Sequence, residues 1–418
     1  MIAEIIAVGS EMLTPFRQDT NSLFLTEGLN NLGVPVAFKT IVGDSLAHLT
    51  DAARIALTRA DLVIFSGGLG PTEDDLTREA AAAALGLSLH PDPEIIAALY
   101  KRFAERRIAM APNNAKQGDV IEGATLLRNP NGSAPGQVLE TRCDGQRRVV
   151  VLLPGPPREL KPMFSDQVIP WLQERIPPFA LARRELRMAL LPESSVDART
   201  SPIYRRYEDV ETTILAHSGE IQLHFQCAKT TAAEAQARVD ALAAEIEHEM
   251  QDDVFSSQGE SLEEVVLLML GMRHLTLAAA ESCTGGLLSQ RLTAIPGSSR
   301  YFLGGAIVYA DRMKTLFADV PAATIADDGP VSEATARALA EGIRSRTGAS
   351  IGVSITGIAG PGPGTGADAS KPVGLVYIGL ASPDGTQVKE INIILPDRDR
   401  VRWWSTQHAL ELIRRQLL

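Results

Sequence analysis

One stretch restricts the fold more than any other: Ala280-Glu281-Ser282-Cys283-Thr284-Gly285-Gly286, where a short apolar run gives way to helical spacing. Leu275 to Ala280 is apolar and flanked by turn residues, as a buried parallel strand is, and Leu287 to Leu292 resumes with the period of a helix. A strand that enters a helix through two glycines predicts a βα unit, and so an α/β domain. Gly285 and Gly286 allow close backbone approach, and the first-turn amides are expected to face an anion or an oxyanion. Hydroxyls, a thiol and a carboxylate converge on the same turn.

The rhythm recurs at the amino end. Ile2 to Val8, Val34 to Val42 and Asp61 to Phe65 read as strands, with helices over Asn21 to Leu32 and Leu46 to Arg59 between them, which predicts a doubly wound parallel sheet. The third strand runs into Ser66-Gly67-Gly68-Leu69-Gly70-Pro71-Thr72-Glu73-Asp74-Asp75, and Leu76 to Leu85 follows as helix. That loop matches neither G-x-G-x-x-G nor the Walker A spacing, yet its glycines suit a phosphate cradle. Asp74 and Asp75 are either helix N-caps or, with Glu11, Asp19 and Glu159, hard oxygen ligands for a divalent cation bridging phosphates. Asn113 to Lys116, Asn131 to Gly136, and Pro154 to Pro157 after a strand over Val149 to Leu153 are further special loops, and loops carry function.

A chain of 418 residues exceeds what one core organises, so two or three domains are expected. With 40 Lys plus Arg against 51 Asp plus Glu, the net charge of −11 gives no global footprint for nucleic acid or an anionic membrane. Cys143, Cys227 and Cys283 form no C-x-x-C pair, which argues against a zinc knuckle or disulfide framework and fits a reducing cytoplasm. Met1-Ile2-Ala3-Glu4 lacks a basic leader, and the longest apolar run, near Val265 to Met272, is too short to span a bilayer.

SGGLGPTEDD, the DTNS of Asp19 to Ser22, NGSAPG and LPGPPRELKPMF resemble the amino-terminal domain of the CinA family, which is related to molybdopterin-binding proteins. The resemblance covers residues 1 to about 170. It implies a nucleotide site on Asn21, Gly67, Gly68, Gly70, Pro71, Thr72, Gly132, Ser133 and Gly155, and hydrolysis of ADP-ribose with a divalent ion (magnesium, manganese or cobalt) on Asp74, Asp75, Glu11, Asp19 and Glu159.

Pro177-Pro178 marks a linker. Beyond it, Arg184 to Leu191 and Glu220 to Ala228 read as strands and Ala232 to Met250 as a helix, giving a small α+β module. The family describes this position as KH-like, but the G-x-x-G clamp is absent, and 8 Lys plus Arg against 13 Asp plus Glu between Leu181 and Asp252 repel a phosphate backbone. A spacer or dimerisation role is the better reading. The expected division is 1–175, 180–255 and 258–418, an α/β class of two doubly wound α/β/α domains joined by the small module.

Ser261 and Glu264 form a capping box for a helix over Leu262 to Met272. Strands are expected at Gly304 to Ala310, Ser350 to Thr356, Val373 to Ala381 and Val388 to Leu395, and helices at Arg312 to Phe317, Ser332 to Thr347 and Asp399 to Leu418. Three loops, Glu281 to Gly286, Tyr309 to Lys314 and Thr356 to Gly362, then follow strand ends. AESCTGG, VYADRMK, SITGIAGPGP, KPVG and PDRDRVR resemble the carboxy-terminal CinA domain, the nicotinamide-nucleotide amidase family. That resemblance implies deamidation of nicotinamide mononucleotide by a Ser/Lys pair, with no cofactor.

The residues lead to a compatible reading. An amide hydrolase needs a nucleophile, a base and an oxyanion site. Ser282 is the first candidate. There is no G-x-S-x-G elbow, and His274 lies at the far end of the strand, roughly 26 Å away at ~3.3 Å per residue. Lys314 stands in the first turns of a helix after Tyr309, where dipole and burial both disfavour the ammonium form. The plain alternatives are a capping serine and a solvated lysine. Cys283 is the rival nucleophile, or a packing residue. Thr284, Gly285, Gly286, Thr356, Gly357, Gly360, Arg398 and Arg402 complete the expected substrate site, the two arginines four apart on one helical face unless Asp397 or Asp399 merely caps that helix. A homodimer without membrane or nucleic-acid partners is expected. A nucleotide or ADP-ribose sensor, and a DNA-uptake or repair accessory, remain the other function classes.

Overall fold

The computed structural model describes residues 1–176, 180–364, 366–394 and 397–418. Pro177 and Pro178, read above as a linker, and Leu395, read above as a strand end, lie outside the described residues. The chain divides into two compact units, Met1–Ala182 with Ala228–Ala235 and Arg183–Cys227 with Gln236–Leu418.

The first unit carries strands β1 (Ala3–Val8), β2 (Val36–Val42), β3 (Leu62–Ser66), β4 (Leu89–Pro91), β5 (Asp119–Ile121), β6 (Thr125–Leu127), β7 (Gly136–Cys143) and β8 (Gln146–Leu153). Six of them form one sheet in the order β2-β1-β3-β8-β7-β6. It is parallel from β2 to β8 and antiparallel at β7 and β6, so the expected parallel sheet is in fact mixed. The cause is local: Asp144-Gly145, at φ 50° and 79°, makes a two-residue hairpin turn that returns the chain without a crossover helix.

Helices α1 (Asn21–Asn31), α2 (Leu46–Arg59), α3 (Thr77–Leu85), α4 (Pro93–Glu105), α5 (Pro157–Met163) and α6 (Ile169–Gln173) accompany the sheet. Side chains alternate across it. Ile6, Val63, Phe65 and Val150 pack with Leu49 and Ala53 of α2 and Ala80 and Ala81 of α3. Ile5, Leu62, Ile64 and Val151 pack with Leu25 and Leu29 of α1 and Leu160 of α5. Two buried faces explain why these strands are continuously apolar.

Mostly within the second unit, β9 (Ala180–Ala189), α7 (Glu193–Tyr204), β10 (Val210–His217), β11 (Glu220–Lys229), α8 (Ala232–Met250) and β12 (Val254–Ser256) build the small module around a sheet ordered β10-β11-β9-β12; the elements after it all belong to the second unit. Then come α9 (Leu262–Met272), β13 (Leu277–Glu281), α10 (Leu287–Thr293), β14 (Phe302–Ile307), α11 (Asp311–Ala318), α12 (Ala322–Asp328), α13 (Glu333–Thr347), β15 (Ile351–Gly357), β16 (Leu375–Ser382), β17 (Gly385–Asn392) and α14 (Arg398–Gln416). The capping box at Ser261 and Glu264 forms as expected.

These strands make a sheet ordered β14-β13-β15-β16-β17, parallel across its first three and antiparallel at β16 and β17. Leu277 and Ala279 of β13 face Val266 of α9 and Leu410 and Ile413 of α14. Ala278 and Ala280 face Ala318 of α11 and Leu339 and Ile343 of α13. The chain leaves β13 for β14 on one side and later returns to β15 on the other. That reversal opens a crevice beyond the carboxyl end of β13, where Ser282 stands.

Candidate functional site

Gly285 and Gly286 have φ 59° and 93°, a left-handed pair that turns the chain from β13 into α10. Glu281 locks the turn. Its buried carboxylate accepts hydrogen bonds from the amides of Gly286 (3.1 Å), Leu288 (3.0 Å) and Ser289 (2.8 Å) and from Ser289 Oγ (2.6 Å). The expectation that this helix start faces a ligand anion is therefore corrected, because the chain's own carboxylate already fills it. Further back, Ser282 N–H donates to Ile355 O (2.9 Å) and Gly285 N–H to Ser282 O (3.1 Å). The amides of Cys283 and Thr284 have no carbonyl acceptor among the described residues, and the buried Thr284 Oγ1 has no partner.

The three loops after β13, β14 and β15 enclose a cleft of about 760 Å³ lined by Ser282, Cys283, Tyr309, Lys314, Arg398 and the glycine-rich segment that includes Gly357 and Gly360. Ser282 is 7% exposed and Lys314 2%. Lys314 Nζ donates to Asp311 Oδ1 (3.2 Å) and approaches Tyr309 O (3.5 Å). Asp311 was not anticipated, although an i, i+3 pair on one helix is a readable signal. Burial pushes the Cys283 thiol up to about 12, against the lowering influence of Arg398 and Lys314, so its thiolate is scarce near neutral pH.

The other expected residues take different places. Arg398 is the first residue of α14, which Asp397 caps through Arg400 N–H (2.9 Å). It reaches Gly360 O (2.7 Å) and Tyr309 OH (3.0 Å) and keeps further N–H donors for an anion. Arg402 does not line the cleft. Its Nε and Nη2 donate to Thr284 O (3.3 and 3.0 Å), bracing the Ser282 turn from behind. Thr356 Oγ1 donates to Pro330 O (2.7 Å), holding the β15 loop. Lys371 ties Asp368 Oδ1 (2.7 Å) to Val331 O (2.6 Å) and so fixes the opposite wall.

In the first unit, Asn21 Nδ2 joins the carboxyl ends of two strands by donating to Ser66 Oγ (3.2 Å) and Gly155 O (2.7 Å), while its Oδ1 is buried without a partner. Gly67 N–H donates to Leu153 O (2.9 Å), and Gly68 lies against Thr77. Arg78, unnoticed in the sequence and 1% exposed, holds Leu69 O (3.0 Å) and Gly70 O (3.1 Å). Burial lowers its pKa. Asp75 caps no helix; it accepts from Thr72 N–H (2.9 Å) and Thr72 Oγ1 (2.5 Å), which sets the turn after Pro71.

The carboxylates are engaged by the chain's own groups: Asp19 accepts from Ser22, Glu159 from Asn129 (2.8 Å), and Asp74 and Asp75 both take Thr72, whose hydrogen bond holds the exposed Asp74 carboxyl below its usual range, while Glu11 is exposed. Among the described residues no three His, Cys, Asp or Glu side chains group as a metal site. A cation here would rest on one or two carboxylates completed by ligand phosphates, the usual arrangement for magnesium. Gly132, Ser133 and Glu159 line a separate cavity of about 290 Å³ with Arg102, Arg106 and Arg158.

Among the described residues no helix is long and apolar enough to cross a membrane. The profile of the "CinA C-terminal domain" matches residues 259–417, and that of the "Probable molybdopterin binding domain" matches residues 4–174. A CinA-like protein of Koribacter versatilis is 57% identical over 418 residues, covering 100% of both chains, and one of Acidobacterium capsulatum is 56% identical with the same coverage. A crystal structure of the protein CinA from Thermoplasma acidophilum, titled as of unknown function, aligns at TM-score 0.37 and 32% identity over 40% of this chain and 97% of its own. The two profiles fall on the two α/β sheets at either end of the chain, and the relatives run the full length: the chain belongs to the CinA family.

Proposed function

We propose that the cleft beyond β13 deamidates nicotinamide mononucleotide to the acid and ammonia. The observation that carries this reading is that Ser282 and Lys314, both buried, line one cleft whose lining contains no histidine. Ser282 Oγ attacks the amide carbon as Lys314 Nζ takes the hydroxyl proton. The oxyanion lies against the Cys283 and Thr284 amides, which donate to no carbonyl among the described residues. As the C–N bond breaks, Lys314 returns the proton to the departing nitrogen, ammonia leaves and an ester remains on Ser282. Water, activated by the same amine, then releases the acid. Arg398 holds the phosphate.

The suppressed thiol supports serine over Cys283. Cys283→Ala should keep most of the ammonia release measured with purified protein. If wild-type protein binds the nucleotide but releases no ammonia, the sensor reading replaces the enzyme; salt-dependent retention on single-stranded DNA would favour the accessory reading.

For the first unit we propose divalent-ion-dependent ADP-ribose hydrolysis, supported by the buried Asn21 Oδ1 beside the glycine-rich loop and by the arginine-lined cavity. Asp75→Ala should abolish that turnover and leave ammonia release intact. Asp75→Asn, which keeps an acceptor for the Thr72 amide, should be nearly as inactive if the charge holds a cation. Undiminished turnover in chelator would remove the metal. Three cysteines without a disulfide among the described residues support a reducing cytoplasmic setting, and a homodimer belongs to the same proposal.

A further inference from the structure

The tip of the β10–β11 hairpin is keyed into the helix that braces the Ser282 turn. Trp403 Nε1 donates to Ser218 O (2.8 Å) and Gln407 Nε2 to Gly219 O (3.1 Å). Gly219, at φ 81°, fits so tightly that a Cβ there would lie 2.9 Å from Gln407 Cγ. Gln407 Oε1 in turn accepts from Arg291 Nη2 (2.7 Å), and Arg291, 6% exposed, also donates to Thr406 Oγ1 (2.7 Å), pairs with Glu263 and stacks 4.2 Å over the Trp403 ring. Arg291 belongs to α10, the helix that leaves the turn. One residue before Trp403 on α14, Arg402 holds Thr284 O. At the other end of α14, Arg414 Nη2 donates to Asp252 O (2.6 Å) and Arg415 Nη2 to Asp253 Oδ1 (2.8 Å).

We propose that the small module is a positioning clamp: it grips α14 at the β10–β11 tip and at Asp252–Asp253, and through Arg402 and Arg291 fixes where the Ser282–Thr284 turn stands. A spacer needs no such contacts. The buried arginine, with acceptors on α9 and α14 and an aromatic face, makes the seam stiff, since displacing any member strands a charge away from water. Arg402 and Arg291 touch no substrate in this account; they act through the turn.

The test uses the full chain with Gly219→Ala and Trp403→Ala, neither of which lines the cleft. The reporter is Cys283, buried beside Ser282, whose alkylation should be slow in wild type and severalfold faster in both variants as the turn loosens. Ammonia release, which rests on the amidase reading, should fall roughly tenfold to a hundredfold in kcat with a smaller change in KM, as small misplacements of a reacting group do. Melting temperatures should fall in both variants, so labelling and turnover are compared at a temperature where both remain folded. Faster labelling together with a wild type that releases no ammonia would sink the amidase reading and leave the clamp standing. Unchanged labelling and turnover in Gly219→Ala, with a shift in Trp403 fluorescence showing the tip displaced, would overturn the clamp. If that variant fails to fold, Trp403→Ala decides by the same two readouts.

Discussion

Under the proposed deamidation, Ser282→Ala should lower ammonia release on the order of 10⁴-fold, Lys314→Met should be about as severe, and the double variant should be little worse than either. The non-additivity follows from the roles: one group attacks only as the other takes its proton, so removing either removes both. Lys314→Arg should fail as well, since a guanidinium holds its proton at any working pH. Stability should separate this loss from misfolding. Asp311 is 57% exposed, so water can solvate it once Lys314 is gone, and such a pair contributes at most about 1 kcal/mol. Melting curves close to wild type alongside the rate loss are therefore expected. Additive losses in the double variant would mean that the two residues act independently.

Glu281→Ala should damage fold and activity together. Its carboxylate receives three backbone amides and one hydroxyl at the start of α10, in a residue 1% exposed. Deleting it strands three donors, each at about 1–3 kcal/mol, so a loss of several kcal/mol is expected from a total stability of roughly 5–15. Glu281→Gln keeps one acceptor oxygen but turns an NH₂ toward the same donors, and should fall between. Urea unfolding checks the first claim and ammonia release the second. A Glu281→Ala protein as stable as wild type would show that the turn holds itself without its cap.

Residues whose role is set by local spacing were legible in the sequence. Leu46–Arg59, Ala232–Met250 and Leu262–Met272 are observed at the expected bounds because their apolar period and flanking signals agree. The β7–β8 hairpin was missed although Asp144-Gly145 is a strong turn signal, and its omission produced the expectation of a purely parallel sheet. Helix α7 carries Pro202 in its interior and little amphipathic pattern, which hid it.

In the site, the strand–turn–helix frame was legible in the sequence, and the structure brings Ser282, after β13, and Lys314, on α11 after β14, to one cleft. The destinations of long side chains could not. Arg402 shares a helical face with Arg398, yet its reach takes it to Thr284 O; Arg78 vanishes beneath the glycine-rich loop; Glu281 bends back over its own turn. Spacing along a chain fixes which face a residue occupies but not which of several acceptors within reach it takes. The same limit applies to the five amino-terminal carboxylates, whose similar loop positions did not bring three of them together among the described residues.

The central claim is that Ser282 carries the acyl group. Wild-type protein mixed with nicotinamide mononucleotide, quenched in acid during turnover and digested, should yield a peptide whose mass is increased by the nicotinoyl nucleotide on Ser282, with hydroxylamine discharging it. An adduct on Cys283 instead, or Ser282→Ala protein that turns over at near wild-type rate, would contradict the account.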